Sequence, residues 1–349
     1  MTTFREGLRT RSLAAVVVAL ALTSFYTALY FTDALDPLAS ALGLRNKWLL
    51  YGLVYTLAMI GGAAFYLSRH GNSRYNRARI AVNVGVQVVL AFLLPLIMPL
   101  FGGPELYLSY LWPLDWYALH PSRLESVPTI VAVYSVAGAL IAAPLGAFFF
   151  GKRWYCSWVC GCGGLANTFG DPWRHLTSSS ARSWRFEKVA VHSVLALAVL
   201  STALLMIDHW ARPGGLFHYV VDGGRWWSMK SLYGYVVGAV LAGVVGVGVY
   251  PLFGPRLWCR NFCPMAALLG LVQKLGRFRI RVKPDMCISC GNCTTYCEMG
   301  IDVRGYAQRN ESFTRASCVG CGMCAHVCPR GVLKLESAPR HKAPLPVVR

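Results

Sequence analysis

The sequence is short of charge, and shorter still of acid. Only 14% of its 349 residues are charged, and 15 Asp and Glu stand against 34 Lys and Arg, a formal net charge of +19. Soluble domains carry nearer a quarter charged residues, so an ordinary soluble protein is excluded. Disorder needs low hydrophobicity, and 55% hydrophobic residues with a mean hydropathy of +0.45 exclude that too. The chain also lacks a phosphate-cradling glycine loop, a hydrolase triad and a dinucleotide fingerprint, which leaves nucleotide-driven, acyl-transfer and nicotinamide chemistry without their sequence signatures. Strong positive charge ordinarily suggests nucleic acid. A nucleic-acid binder need not be this apolar, however, and basic residues gathered on one face of a membrane account for both properties.

Six apolar runs are long enough to span a bilayer, at about 20 residues each: 12–31, 48–67, 80–101, 129–150, 189–207 and 232–253. Arg5, Arg9 and Arg11 precede the first, but the run exceeds the usual signal-peptide core of about 7–15 residues and no small-x-small cleavage site follows it, so a retained helix is expected. Basic residues partition sharply between the loops. Three at the N-terminus, four in 68–79, six in 151–188 and fifteen from 254 onward put 28 on one side; Arg45, Lys47, Arg123, Arg212, Arg225 and Lys230 are on the other. The positive-inside bias then places both termini in the cytoplasm, in a bacterial cytoplasmic (inner) membrane. On the opposite side Tyr107, Tyr110, Trp112, Trp116 and Tyr117, and Trp226 and Trp227, read as interfacial anchors, with the lining of a quinone or partner site as the alternative.

The thirteen cysteines decide the rest. Cys287-Ile-Ser-Cys290-Gly-Asn-Cys293-Thr-Thr-Tyr-Cys297 and Cys318-Val-Gly-Cys321-Gly-Met-Cys324-Ala-His-Val-Cys328-Pro329 each have the C-x2-C-x2-C-x3-C spacing of bacterial two-cluster ferredoxins. Three cysteines hold three corners of a cubane, and the fourth ligates the other cluster. The expected ligands are Cys287, Cys290, Cys293 and Cys328 for one [4Fe–4S] cluster, and Cys318, Cys321, Cys324 and Cys297 for the second. Zinc ribbons use paired C-x2-C without the third and fourth cysteines. Strands are expected at 279–282 and 331–335, flanking the two runs. Glu298 stands where a proline often follows the fourth cysteine, and the 298–317 connector is long, a segment through which the domain can meet the membrane part.

A second set is arranged as a repeat. Gly151-Lys-Arg153-Trp-Tyr-Cys156-Ser-Trp-Val-Cys160 aligns with Gly254-Pro-Arg256-Leu-Trp-Cys259-Arg-Asn-Phe-Cys263 at a constant offset of 103 residues, each copy following a membrane run. Such repeats place sites at the interface between related halves. C-x3-C on one helix sets two sulfurs on a common face, and Arg153 and Arg256 are expected to offset thiolate charge. Three readings are open for Cys156, Cys160, Cys259 and Cys263: a further metal or cluster site, redox-active dithiols, or structural cysteines. Cys162 has no counterpart and receives no role.

Two C-x3-C-P-like motifs on a multi-helix membrane part, followed by a two-cluster tail, resemble the NapH/NosR-type membrane ferredoxins and are also similar to the CcoG/FixG group. The resemblance spans about 129–336. Cys259-Arg-Asn-Phe-Cys263-Pro264 matches the motif, whereas the first copy has Gly161 in place of the proline. A NosR-like chain adds an outer flavin-binding domain and a CcoG-like chain a C-terminal immunoglobulin-like domain; the architecture here is closest to NapH-like. The expected fold is an all-α polytopic bundle of six transmembrane helices (1–253), a second C-x3-C-P segment (254–277), an α+β two-[4Fe–4S] ferredoxin domain (278–336) and a basic Pro-rich tail (337–349).

Weaker signals are His192, the one histidine within a run and a candidate quinone or haem contact; His209 and His218 with Asp208 and Asp222 beyond the fifth run, as aids to quinol deprotonation; and Gly234-x3-Gly238, a helix-packing motif. The functional expectation is an electron-transfer protein of the membrane, as a quinol dehydrogenase subunit, passing electrons between quinol and a redox partner docked on the ferredoxin domain. Its partners are the lipid bilayer, the quinone pool and that protein, with no nucleic acid. The alternatives are a copper reductase or assembly factor built on the four membrane-side cysteines, and a non-catalytic anchor for a ferredoxin domain.

Overall fold

The computed structural model describes residues 13–338 except 104, 107, 109, 212–214 and 224–227. Tyr107, Trp226, Trp227, the N-terminal arginines and the tail from 339 onward lie outside the described residues. Six helices are long and apolar enough to cross a membrane: α1 (Leu13–Phe31), α2 (Lys47–His70), α3 (Arg74–Phe101), α4 (Thr129–Phe150), α5 (Ala181–Ala211) and α6 (Met229–Gly248). The chain is thus a multi-pass membrane protein.

Local chemistry sets the helix ends. The Asn46 side chain accepts hydrogen bonds from the backbone N–H groups of Trp48 and Leu49, at 3.0 Å each, and opens α2. Ser73 does the same for α3, satisfying amides that have no intrahelical partner. Faces divide by size. Leu57, Ile60, Leu140, Ile141, Leu145, Leu197 and Leu200 point outward, exposed, which is no liability against acyl chains. Inward, α4 presents Ala139, Ala143 and Ala147 one turn apart, all fully buried. The packing glycines of α6 are not the expected pair. A methyl at Gly234 or Gly238 would meet open space, whereas one at Gly243 would strike Tyr30 and one at Gly248 would strike Thr23. The Gly-x3-Gly spacing is therefore incidental, and α1 seats on α6 about a turn and a half further along.

Beyond the membrane helices, α7 (Pro264–Leu275) packs on α4 and α5 and carries the ferredoxin domain. That domain is closed by an antiparallel pair, β1 (Phe278–Val282) with β2 (Leu333–Ser337), Phe278 opposite Ser337 and Val282 opposite Leu333. Phe278, Ile280 and Val282 point inward, and Arg279 pairs with Glu336 at 2.6 Å on the outer face.

The two parts share a buried junction. Phe278 is pressed on Gly151, where a positive φ of 78° and the absence of a Cβ are both required. Gln273 accepts the Lys152 N–H and donates to the carbonyls of Arg315 and Cys318. Ser157 Oγ donates to Val319 O at 2.7 Å, and Tyr75 Oη to Gly320 O at 2.8 Å. At the centre is Glu298, fully buried, held by Arg256 at 3.0 Å and Arg174 at 2.8 Å; Arg174 also pairs with Asp171, which faces His70. Burial pushes the Glu298 carboxyl up, but Arg174 and Arg256 outweigh it and hold it below the ordinary glutamate range.

Breaking a buried pair by removing one partner costs about 3–5 kcal/mol, because the other charge is stranded. Glu298→Gln is therefore expected to lower the thermal unfolding midpoint of the detergent-purified protein substantially. Adding Arg174→Met and Arg256→Met to that variant is expected to restore much of the loss.

Candidate functional site

The tail cysteines gather into two groups. Cys297, Cys318, Cys321 and Cys324 line one small cavity, and Cys287, Cys290, Cys293 and Cys328 line another. These are the two sets read from the spacing, each crossing between the runs. Gly291 and Gly322 take the same left-handed turn, φ 83° in both, immediately after the second cysteine of each run. Among the described residues, no three His, Cys, Asp or Glu side chains converge tightly enough to share a single ion. Sulfurs spread around a cavity suit a cubane, whose irons sit apart, better than tetrahedral zinc with bonds of about 2.3 Å to one centre.

The surroundings fit an anionic group. Arg79, Arg174, Arg256 and Lys152 are all buried on the membrane side of the Cys318 set. Arg174 Nη1 lies 3.8 Å from Cys321 Sγ. Glu298 and Asp171 are the acids paired with this group, and Arg79 Nε and Nη1, Arg174 Nη2 and Arg256 Nε have no hydrogen-bond partner. Stranded guanidinium nitrogens beside four cysteines match the net negative charge of a thiolate-ligated cluster. Burial pushes the Cys297 thiol up to about 12 and Cys318 up to about 11, so metal loading must displace their protons. The two sites differ in position. The Cys318 set lies against the membrane helices through Tyr66, Tyr75 and Ser157, while Cys290 and Ile288 of the other set are exposed.

The C-x3-C repeat is repeated in backbone geometry too. Gly151 (φ 78°, ψ 167°) and Gly254 (φ 89°, ψ 164°) end their helices identically. The Cys160 N–H bonds Tyr155 O, and the Cys263 N–H bonds Trp258 O, its counterpart. Neither motif is one continuous helix, contrary to the expectation. Cys156 and Cys259 lie in short helices (Arg153–Cys156 and Leu257–Asn261), and Cys160 and Cys263 are extended residues capping the next ones. The break turns Cys160 and Cys263 toward the first pair, and all four thiols share one buried cluster. Gly161 replaces proline because a Cβ there would press on Gln87 and Tyr55, whose hydroxyl donates to Gly161 O at 3.1 Å.

The charges are not symmetric. Arg256 Nη1 lies 3.7 Å from Cys259 Sγ. Arg153 does not reach a thiol. It stacks on Tyr75 and Phe278 and bonds Ser337, and buried Lys152 takes its place beside Cys156. Burial pushes the Cys156 thiol up to about 12, with Lys152 opposing. Cys162 lies beside Cys160 and lowers its thiol through a hydrogen bond, while its own Sγ reaches Tyr110 Oη at 3.9 Å.

Sequence reading missed a cavity inside the membrane part. Tyr26, Tyr51, Tyr110, Tyr233, Cys162 and Trp258 are among its walls, and Asp115 and Arg123 also line it. Tyr233 Oη and Trp258 Nε1 are buried without hydrogen-bond partners. Burial raises the Asp115 carboxyl against the pull of Arg123. Unpaired buried donors leave no signature in sequence, although the tyrosines of α1 and α2 recur at helical spacing. His192 is half-buried, its Nδ1 2.7 Å from Lys188 O one turn back, and among the described residues it makes no haem-like pair. Asp208 and His209 belong to the end of α5 rather than to a loop; Asp208 is buried and bonds His218 at 2.7 Å.

Family models for iron–sulfur domains cover the segments that carry both sets of cysteines. A 4Fe-4S dicluster domain matches residues 280–335, and a 4Fe-4S binding domain matches twice, at 131–177 and 236–283, once for each copy of the repeat. YccM of Escherichia coli (strain K12), whose name assigns it to electron transport, is 29% identical over 198 residues, 54% of this chain and 51% of that protein. The methylamine utilization ferredoxin-type protein MauN of Paracoccus denitrificans is 27% identical over 191 residues, 52% of this chain and 60% of MauN. Protein NirI of the same organism is 28% identical over 180 residues, 49% of this chain and 25% of NirI. The matches thus span about half the length of the first two relatives and less of NirI. No solved structure matches. The domain matches mark this chain as an iron–sulfur protein.

Purified protein is expected to contain about eight iron and eight sulfide per chain, with Cys293→Ser and Cys324→Ser each removing about half. Arg79→Gln removes a positive charge facing Cys321. It is expected to lower the reduction potential of one centre by about 50–100 mV, the size of a single charge at effective dielectric 20, read by EPR-monitored redox titration.

Proposed function

We propose that this NapH-like membrane ferredoxin takes electrons from a quinol held in the tyrosine-lined cavity and delivers them to a protein that docks on the exposed Cys287 side of the ferredoxin domain. The observation that carries this reading is the pair of donors, Tyr233 Oη and Trp258 Nε1, without partners among the described residues, in the wall of a mainly aromatic and aliphatic membrane cavity that also holds Asp115 and Arg123. A quinone head group offers two carbonyl acceptors on a flat apolar ring. Asp115, whose burial raises the proton affinity of its carboxylate against the pull of Arg123, is suited to accept a quinol proton.

The layout supports an ordered route. Cys162 and Trp258 line the cavity and adjoin the four repeat cysteines. Arg256 touches Cys259 and Glu298, next to Cys297, and the Cys287 set is outermost. When bound, the two clusters supply one-electron redox chemistry that is their own; the chain holds them, shields the inner one from water and surrounds it with buried cations. We assign the eight tail cysteines as their ligands in the sets given above. We assign the membrane as the bacterial cytoplasmic membrane, with the ferredoxin side inward, on the distribution of Lys and Arg.

The four repeat cysteines support a second reading, a third iron–sulfur centre between the halves, favoured by the two matches to a 4Fe-4S binding domain. Iron clearly above eight per chain, falling in Cys156→Ser and Cys263→Ser, is the expected sign.

Anaerobic addition of a reduced quinol analogue is expected to produce the EPR signal of reduced clusters. Tyr233→Phe with Trp258→Phe is expected to raise the quinol KM about tenfold, two lost hydrogen bonds at about 0.5–1.5 kcal/mol each, without loss of iron. Absence of cluster reduction, together with Cu(II) reduction that disappears in Cys259→Ser, would instead make the protein a metal reductase.

A further inference from the structure

A larger cavity lies elsewhere, where the ferredoxin-side end of α5 meets α7 and the 314–317 segment. Its wall carries Lys152, Lys188, Arg260, Lys274 and Arg315, and one acid, Glu187. Glu187 is already paired, with Arg260 Nε at 2.7 Å. Lys188 Nζ sits 4.0 Å from the centre of the Trp184 ring and the Arg315 guanidinium 4.7 Å from the same ring, so two like charges are gathered on one indole. Among the described residues no carboxylate pairs with Lys188, Lys274, Arg315 or Lys152. Lys152 is 1% exposed, and the contact described for its ammonium is a carbonyl oxygen at 3.5 Å. Lys188, Lys274 and Arg315, three cations with no paired carboxylate, make a site for an anion, with buried Lys152 at its inner wall, where it also faces the cysteines.

We propose that this cavity binds the phosphate headgroup of an anionic phospholipid. Three observations select a lipid over a soluble phosphate. The helix α5 has 31 residues, about 46 Å at 1.5 Å per residue, so it outruns a hydrocarbon core of about 30 Å. Its first turns, with Trp184 and Lys188, lie at headgroup level, where tryptophan and snorkelling lysine gather. The basic wall is flanked by exposed apolar side chains, Phe186 and Val189 on α5 and Leu271 and Leu275 on α7, on which acyl chains can lie. Arg315 comes from the ferredoxin domain and Lys188 from the membrane helix, so one headgroup bridges the two parts. Cys259 lines the inner wall, which places the site beside the repeat cysteines.

The test uses the full-length protein from its native membrane. After detergent delipidation, native mass spectrometry and lipid extraction are expected to find about one phosphatidylglycerol or cardiolipin per chain. The unfolding midpoint is expected to be several degrees higher in phosphatidylglycerol nanodiscs than in phosphatidylcholine. Lys188 and Lys274 are exposed, so Lys188→Gln/Lys274→Gln leaves the core intact. That variant is expected to lose both the retained lipid and the difference in midpoint at unchanged iron content, while Lys188→Arg/Lys274→Arg keeps both. Equal retention in the Gln variant overturns the proposal, as do equal midpoints in the two lipids for the wild type. Stabilisation by millimolar inorganic phosphate equal to that by lipid overturns it in favour of a soluble ligand, and a quinone in place of the lipid overturns it likewise.

Discussion

Everything in this structure turns on how four positive charges come to be buried at the seam between a membrane bundle and an iron–sulfur domain. Lys152, Arg79, Arg174 and Arg256 are all nearly or wholly inaccessible, an arrangement that apolar packing cannot support alone. Glu298 answers two of them at once, and it adjoins Cys297, so its position is tied to that of the cluster cysteines. The remaining positive charge faces the cysteines themselves. Loading, docking and charge balance are thus a single problem with a single solution.

The repeat supplies the other half of that solution. Two copies of one backbone motif, down to the ψ of Gly151 and Gly254, bring four thiols into one buried cluster. The copies then diverge in the cation they contribute. The second keeps Arg256 beside its thiol; the first sends Arg153 outward to clasp Phe278 and Ser337 and turns Lys152 inward. A duplicated scaffold therefore serves two ends: one copy holds the ferredoxin domain by its surface and the other by its core.

The six membrane helices and the two ferredoxin runs were legible because their signals are local: apolar length for the helices, spacing for the cysteines. Even the crossing of Cys297 and Cys328 between sites is implicit in a spacing rule. Contacts between distant segments were not legible. No periodicity announces that Glu298 meets Arg174 and Arg256, that Asp115 and Tyr233 share a cavity, or that Cys162 bonds Cys160. The helical reading of C-x3-C failed because spacing alone cannot show the extended backbone at Cys160 and Cys263. Gly234 and Gly238 matched a packing motif, but packing depends on the neighbour, and theirs is empty space. Two departures from the family pattern were visible as oddities without a meaning. Gly161 makes room for Tyr55 and Gln87, and Glu298 closes the seam; each marks a place where this chain fits itself rather than a motif.

Glu298 also has a place in time. It follows every membrane helix in the chain, so Arg79, Arg174 and Arg256 are synthesised long before their counter-charge exists. Until then they must remain hydrated, and the ferredoxin-side ends of α2 and α3 and the two cysteine motifs must stay open to water. A domain made after the membrane helices completes their packing. A chain truncated before residue 298, or one whose cysteines fail to gather, leaves unpaired guanidinium groups at the membrane surface, the kind of defect by which quality-control proteases distinguish unfinished membrane proteins from finished ones.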